Sequence, residues 1–401
     1  MNLTKILMRV GIIFLFCGLL TACLKQPKPT VQPQQYPLPF EEAISTLANK
    51  LLAQIEADRT LLGRKDFTNI MIIPFADADT QEVPEISRDI EKIIIAEGKR
   101  NFKGFQITRL TFKNIKKADY IMNGYIRLDT YDSQATAKKQ KYYRVYGEVR
   151  KPAGTEILGK SNVWISDQDL DYKPTAIYLD SPLYLKGRRL VETEKPRLFP
   201  RAVDLLSISL ETKALLIEGR MAYESGDYET AAKLFALVAE RKDGQDLSTY
   251  AGLYLANYKL GRLEEAEKAF AKVVSISVEK YRYLTVKYLF KVDSVLFLQD
   301  KNLSKRFEAW IRNIGKYFQN TDYCLLIVGH ASNTGTKEYN DKLSLERAKT
   351  IQKRLQKYFP DVIQRSEVVG KGFSQNIVGI GTDDDRDALD RRVELFIIDC
   401  K

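Results

Sequence analysis

The chain has 401 residues, of which 44% are hydrophobic, and it carries a formal charge of +11, four cysteines and a single histidine. That is too much apolar material for one compact core, so two or three domains are expected. One histidine with no cysteine pair beside it excludes a usual zinc site, and the sequence holds no Walker spacing, no G-x-S-x-G elbow and no cysteine and histidine set suited to acyl transfer. No catalytic residue, metal or cofactor is therefore assigned.

The first residues, MNLTKILMRVGIIFLFCGLLTAC, place Lys5 and Arg9 ahead of an apolar run from Val10 to Leu20, the pattern of a targeting segment. The run is shorter than the ~20 residues that a membrane-spanning helix needs. Leu20-Thr21-Ala22-Cys23 resembles the lipobox of bacterial lipoproteins. That resemblance implies a signal peptide over residues 1–22 and lipidation of Cys23, with acyl chains as the anchor because each buried CH₂ contributes ~0.8 kcal/mol. Leu24 stands where Asp in enterobacterial lipoproteins favours inner-membrane retention, which implies the outer membrane, with the folded part facing the periplasm. After the cysteine, residues 23–39 are rich in proline and glutamine and read as a linker. At ~3.1 Å per residue it reaches on the order of 50 Å. Outside the inner membrane the polyanions that meet a basic protein are phospholipid, lipopolysaccharide and wall, so no nucleic-acid partner is expected and the charge otherwise serves solubility. The AKKQKYYR cluster, Ala137 to Arg144, reads as a solvated hairpin end.

Residues 40–170 form an α+β unit. Phe40, Ile44, Leu47, Leu51 and Ile55 recur on one helical face. TNIMIIPFAD reads as a buried strand, and PEISRDIEKIIIAEGKR as a helix with Pro84 near its start and basic residues at its end. ADYIMNGYIRL, KYYRVYGEVRK and EILGKSNVWIS alternate like strands. This order, with the pieces IIPFAD and ADYIMNGYIRL, resembles the periplasmic lipoprotein domains of the CsgG, FlgO and LpoB group. Secretion channels, flagellum-associated lipoproteins and activators of peptidoglycan synthases all belong to that group, so the fold does not choose the function.

Residues 171–209 read as a connector, and residues 210–281 repeat internally. ALLIEGRMAYESGDYETAAKLFALVAE aligns with STYAGLYLANYKLGRLEEAEKAFAKVV, pairing Gly226 with Gly261, Ala231 with Ala266 and Phe235 with Phe270. The pairs lie 35 residues apart, close to the tetratricopeptide period, and the stretch resembles that repeat. Two units are fewer than the usual three, so flanking helices such as AVDLLSISLETKA are expected to cover an end. The resemblance implies either a protein partner held by the repeats or a mere spacer.

Residues 282–401 begin with the strand-like VKYLFKVDSVLF, followed by the helical stripe LSKRFEAWIRNIGKYF and the buried strand CLLIVGH. A second helix is marked by Leu343, Ala348, Ile351 and Leu355, and SEVVGKGF and RRVELFIID complete a β-α-β-α-β-β order. With Gly329-His330, Thr334-Gly335, Tyr339-Asn340, Leu343-Ser344, Arg347-Ala348, Gly370-Lys371-Gly372 and Arg391-Arg392-Val393-Glu394, this unit resembles the OmpA-like peptidoglycan-binding domain also found in Pal. The fold class is thus multidomain α+β: an N-terminal α+β domain, a short all-α tetratricopeptide-like pair and a C-terminal OmpA-like domain.

The resemblance implies recognition of diaminopimelate in the stem peptide of peptidoglycan, by an arginine fork for the carboxylate and an acidic partner for the ammonium. Arg347 matches the arginine, but Ser332 stands where the family has aspartate, and Asp390 where it has asparagine. Ser332, Asn340, Leu343, Arg347, Arg391 and Arg392 are the candidate peptidoglycan-binding residues. His330 reads as a loop-positioning residue in contact with backbone groups, and the run Asp383 to Asp387 as a solvated loop that lacks EF-hand spacing. If the first buried strand and the last are antiparallel neighbours, Cys324 and Cys400 meet in a disulfide; otherwise they are two unpaired buried thiols. Two functions follow. One is a tether between outer membrane and wall; the other is an accessory or activator lipoprotein of a synthase, secretion or flagellar assembly, with the first domain or the repeats contacting a protein partner and the OmpA-like domain degenerate or only localising.

Overall fold

The computed structural model describes residues 36–63, 67–78, 80–132, 140–154, 156–183, 208–286, 288, 290–297, 301–376, 381 and 387–400. Residues 1–35, which hold the expected signal peptide, Cys23 and most of the expected linker, lie outside them. From Pro37 to Lys401 the chain clusters as one unit, across all three parts into which its sequence divides.

Helix α1 (Phe40–Leu61) buries Ile44, Leu47, Leu51 and Ile55 along the face that their spacing defines. Strands β1 (Thr68–Ile72) and β2 (Ala76–Asp77) lead to α2 (Ile86–Asn101), then β3 (Phe105–Arg109), β4 (Tyr120–Tyr131), β5 (Gln140–Arg150) and β6 (Ile157–Ile165). The sheet order is β3-β1-β4-β5-β6, with β2 beside β4. β1 runs parallel to both β3 and β4, whereas β4, β5 and β6 form an antiparallel meander. The apolar TNIMII run is explained by burial on both faces. Ile70 and Ile72 join the core beneath α1 and α2, while Met71 and Ile73 face the other way and meet Ala214 and Ile217. The short strands β2 and β3 are not foreseen from sequence, because FQITR offers only two buried apolar positions, Phe105 and Ile107, too few to show alternation. Part of the AKKQKYYR cluster lies outside the described residues. Its last member, Arg144, is not solvated but stacks on the rings of Tyr146 and Trp164, at 4.8 and 4.6 Å.

A one-turn helix, α3 (Ala176–Asp180), precedes four longer ones: α4 (Leu210–Glu224), α5 (Tyr228–Glu240), α6 (Leu247–Lys259) and α7 (Leu263–Tyr281). They form two antiparallel pairs. Gly226 and Gly261 sit at the reversals with φ of +83° and +74°, the left-handed region that a side chain resists. Ala231, Phe235, Ala266 and Phe270 are all buried where the helices meet. Of the expected end-cover AVDLLSISLETKA, the part from Leu210 is the first helix of the first pair, and residues 202–207 lie outside the described residues. The far end of the stack is covered instead by a helix from the last part of the chain.

That part contains β7 (Tyr283–Val286), α8 (Lys301–Gln319), β8 (Cys324–Gly329), α9 (Lys337–Leu355), β9 (Ser366–Gly370) and β10 (Val393–Ile398). The sheet order is β7-β10-β8-β9, with β10 antiparallel to both neighbours and β8 parallel to β9. VKYLFKVDSVLF is not the strand its pattern suggests. The strand lies earlier, and residues 290–297 form a loop closed by a bridge between Phe290 and Phe297 and turned at Asp293, whose φ is +49°. Because Cys324 pairs with Ile398 in the β8–β10 register, Cys400 lies within reach, and the two cysteines form a disulfide with Cα atoms 5.2 Å apart. Closing so long a loop stabilises by roughly 4 kcal/mol on the chain-entropy account.

Helix α8 joins the helical pairs to the last sheet. Its Trp310 donates Nε1–H to Tyr254 Oη on α6 at 2.7 Å and lies beside the rings of Phe270, Phe307 and Tyr288. One apolar cluster therefore runs without a break from Phe235 through Trp310 to Leu395. Removing the indole leaves a large void and an orphaned hydroxyl, so Trp310→Ala is expected to cost about 3–5 kcal/mol. Calorimetry should show one transition for the helical pairs and last sheet in the wild type, and two in the variant.

Candidate functional site

The loop between β8 and α9 is built by close approach. Gly329 ends β8 against α9 so tightly that a Cβ would fall 1.9 Å from the carbonyl oxygen of Ser344. Asn340 draws the loop together, donating from Nδ2 to the carbonyls of Thr334 at 2.5 Å and Thr336 at 3.1 Å. Thr336 caps α9 by accepting from Tyr339 N. Ser344 Oγ accepts from Gly372 N at 2.9 Å, which fastens the end of β9 to the same helix.

Arg347 is only 1% exposed. Its Nε donates to Ser294 O at 3.1 Å, Nη1 to His330 O at 3.1 Å and Nη2 to Lys291 O at 3.2 Å, with the guanidinium 5.2 Å from the centre of the Phe290 ring. Helix α9, the end of β8 and the loop after β7 are tied together at one charge. Arg391 reaches the same loop, its Nε donating to Phe290 O at 3.4 Å. Ser332 is buried beside His330, and Leu343 is half-buried on α9. Asp387 and Asp390 are fully buried in the turn that leads into Arg391, so the end of the acidic run is not the solvated loop its composition suggests; residues 383–386 of that run lie outside the described residues.

Arg392 points elsewhere. Its Nε donates to Glu394 Oε1 at 3.1 Å and Nη2 to Gln375 O at 3.1 Å. Glu394 Oε2 lies 3.1 Å from His330 Nε2, so the contact of His330 is a carboxylate rather than the backbone groups expected from sequence. Burial pushes the Glu394 carboxyl up, but the hydrogen bond from His330 and the Arg392 charge overcome it and hold the group down to about 2. Burial pushes the imidazole below its ordinary range, so His330 is neutral. A carboxylate only accepts, which places the imidazole proton on Nε2. Neither partner was legible as a pair, because their meeting depends on the β8–β10 register.

The six candidates thus divide. Arg347 and Arg391 both reach the loop after β7, Ser332 lies in the β8–α9 loop, Asn340 shapes that loop, Leu343 lies along the same helix as Arg347, and Arg392 is engaged in a buried charge network with Glu394. Residues 297–389 match the model of the OmpA family. The C-terminal domain is OmpA-like. Similar solved structures include the peptidoglycan-associated lipoprotein of Burkholderia pseudomallei, 25% identical over 29% of this chain and 90% of that one, with a TM-score of 0.24. The cell wall anchor of the T6SS from Pseudomonas aeruginosa is 21% identical over 32% of this chain and 96% of that one, with a TM-score of 0.25. An outer membrane protein of Borrelia burgdorferi is 24% identical over 29% and 88%, with a TM-score of 0.23. No curated protein matches the chain. Among the described residues no group of three or more His, Cys, Asp or Glu could hold a metal ion, and no helix is long and apolar enough to cross a membrane.

The charge network makes the OmpA-like domain acid-sensitive. A carboxyl held below its unfolded value stabilises above that value and loses the contribution as pH falls through the folded one, here from about 4.5 down to about 2. His330, neutral when folded, adds a loss in the same direction once pH falls below its ordinary 6.5. Glu394→Gln leaves Arg392 buried without its carboxylate and should cost roughly 3 kcal/mol at pH 7 in urea unfolding. That deficit should shrink at pH 3, where the wild type has itself weakened; a deficit constant across pH would contradict the assignment.

Proposed function

We propose that the protein is a non-enzymatic outer-membrane lipoprotein that binds peptidoglycan through its OmpA-like domain and tethers the membrane, or an envelope complex, to the wall. The observation that carries the reading is the OmpA-family match over residues 297–389, since an OmpA-like domain indicates peptidoglycan binding and envelope anchoring. The lipobox-like Leu20-Thr21-Ala22-Cys23 supplies the second anchor. Two weak attachments reinforce each other, because confinement by one raises the effective concentration for the other.

Recognition on this reading centres on Arg347, a guanidinium already fixed by three carbonyls and so presented at little entropic cost to a stem-peptide carboxylate. Ser332 offers the ligand's ammonium a hydroxyl, which lacks the charge that roughly doubles the strength of such a bond. Wall binding is accordingly weaker than where aspartate stands. The first two parts serve on this reading as a docking body for an envelope protein, as in an accessory lipoprotein.

Cosedimentation with purified diaminopimelate-type sacculi tests the site. Arg347→Ala, checked by circular dichroism to be folded, should lower retention about tenfold, the equivalent of ~1.4 kcal/mol. Ser332→Asp should raise it. Retention of both variants equal to that of the wild type would remove the pocket from the account.

A further inference from the structure

A second site lies far from Arg347. A cavity of about 630 Å³ opens where the first sheet meets the helical pairs, walled by residues of β4, the first turn of α2, one face of α4 and the start of α6. Its volume falls in the range of small-molecule sites.

Its place in the topology is telling. From β1 the chain passes through α2 to β3 on one side, then crosses back to β4 on the other, and both neighbours run parallel to β1. The strand order reverses at β1. In sheets with parallel strands, ligands bind outside the carboxyl ends at such a reversal. Ile73 and Pro74, directly after β1, Arg109 at the end of β3, and Asn123 of β4, one position beyond the last β1 partner, all line the cavity.

The lining contains polar atoms that the fold does not use. Ser87 Oγ, Asn123 Oδ1 and Thr175 Oγ1 make no hydrogen bond within the protein, though their residues are only 2%, 2% and 1% exposed. Buried polar groups of this kind cost stability unless something else meets them. The charge is uneven as well. Arg88 faces Glu224, Arg109 is clasped by Glu91, and Lys280 lies 3.5 Å from Asp246. Arg220 instead faces the ring of Tyr178 at 5.4 Å. Lys213, two turns before it and 8% exposed, is pushed down to about 7 by burial and by the charges of Arg150 and Arg220. Lys213 and Arg220 line the cavity two turns apart on α4, so one anion bound there would face both. Leu216, Ile217 and Val83 add an apolar wall.

We propose that this cavity binds a small amphiphilic organic anion, its carboxylate or phosphate on Lys213 and Arg220 and its apolar body against Val83, Leu216 and Ile217. The charged group confers selectivity and the hydrocarbon most of the affinity.

Two fluorescent probes with one apolar body separate charge from greasiness: 8-anilino-1-naphthalenesulfonate, and N-phenyl-1-naphthylamine, which lacks the sulfonate. Added to the full-length protein, the sulfonate should bind, and Arg220→Met and Lys213→Met should each weaken it about tenfold, or ~1.4 kcal/mol, while leaving the neutral probe unaffected. Arg220 is half-buried, where Lys213 is buried, so Arg220→Met serves if Lys213→Met misfolds. Decanoate and decyl phosphate are then added as competitors; displacement by one identifies the headgroup, and displacement by neither overturns the proposal. Equal binding of the sulfonate to wild type and Arg220→Met overturns it too.

Discussion

A guanidinium cannot leave water without replacements for its hydration, and the OmpA-like domain is arranged around that requirement at Arg347. The side chain is almost wholly buried, and its donors are met by main-chain carbonyls of Lys291, Ser294 and His330. These bonds hold the group rigidly between α9, the end of β8 and the loop after β7. The same bonds shape the loop after β7, so structure and proposed recognition rest on one residue.

The second buried charge set works differently. Arg392 and Glu394 neutralise one another inside the domain, and the neutral His330 donates to the same carboxylate. Two adjacent arginines, alike in sequence, therefore have separate duties: Arg391 turns toward the loop that Arg347 holds, and Arg392 toward the carboxylate of its own strand. They are the two residues just before β10, and each turns to its own partner.

Much of the fold was legible because period and burial coincide. Ile44, Leu47, Leu51 and Ile55 lie on the buried face of α1, and the 35-residue offset of Gly226 and Gly261 marks two equivalent reversals between helices. What failed to show was short or nonlocal. β3 has too few residues to reveal alternation, the VKYLFKVDSVLF stretch is bent by a left-handed Asp293, and the partner of His330 is 64 residues away. The cavity near Lys213 left no motif at all, since its walls come from several segments far apart in the chain.

The amino-acid sequence by itself determined the long amphipathic helices such as α1 and α9, the OmpA-like pattern with Arg347 at its centre, and the departure at Ser332, because each is written in local spacing or residue type. The tertiary structure alone decided that α8 would close the helical stack through Trp310, that Cys324 and Cys400 would meet, and that Glu394 would be the partner of His330. These depend on strand register and on the packing of faces far apart in the chain, and a one-residue shift of register would turn every side chain of a strand to its other face.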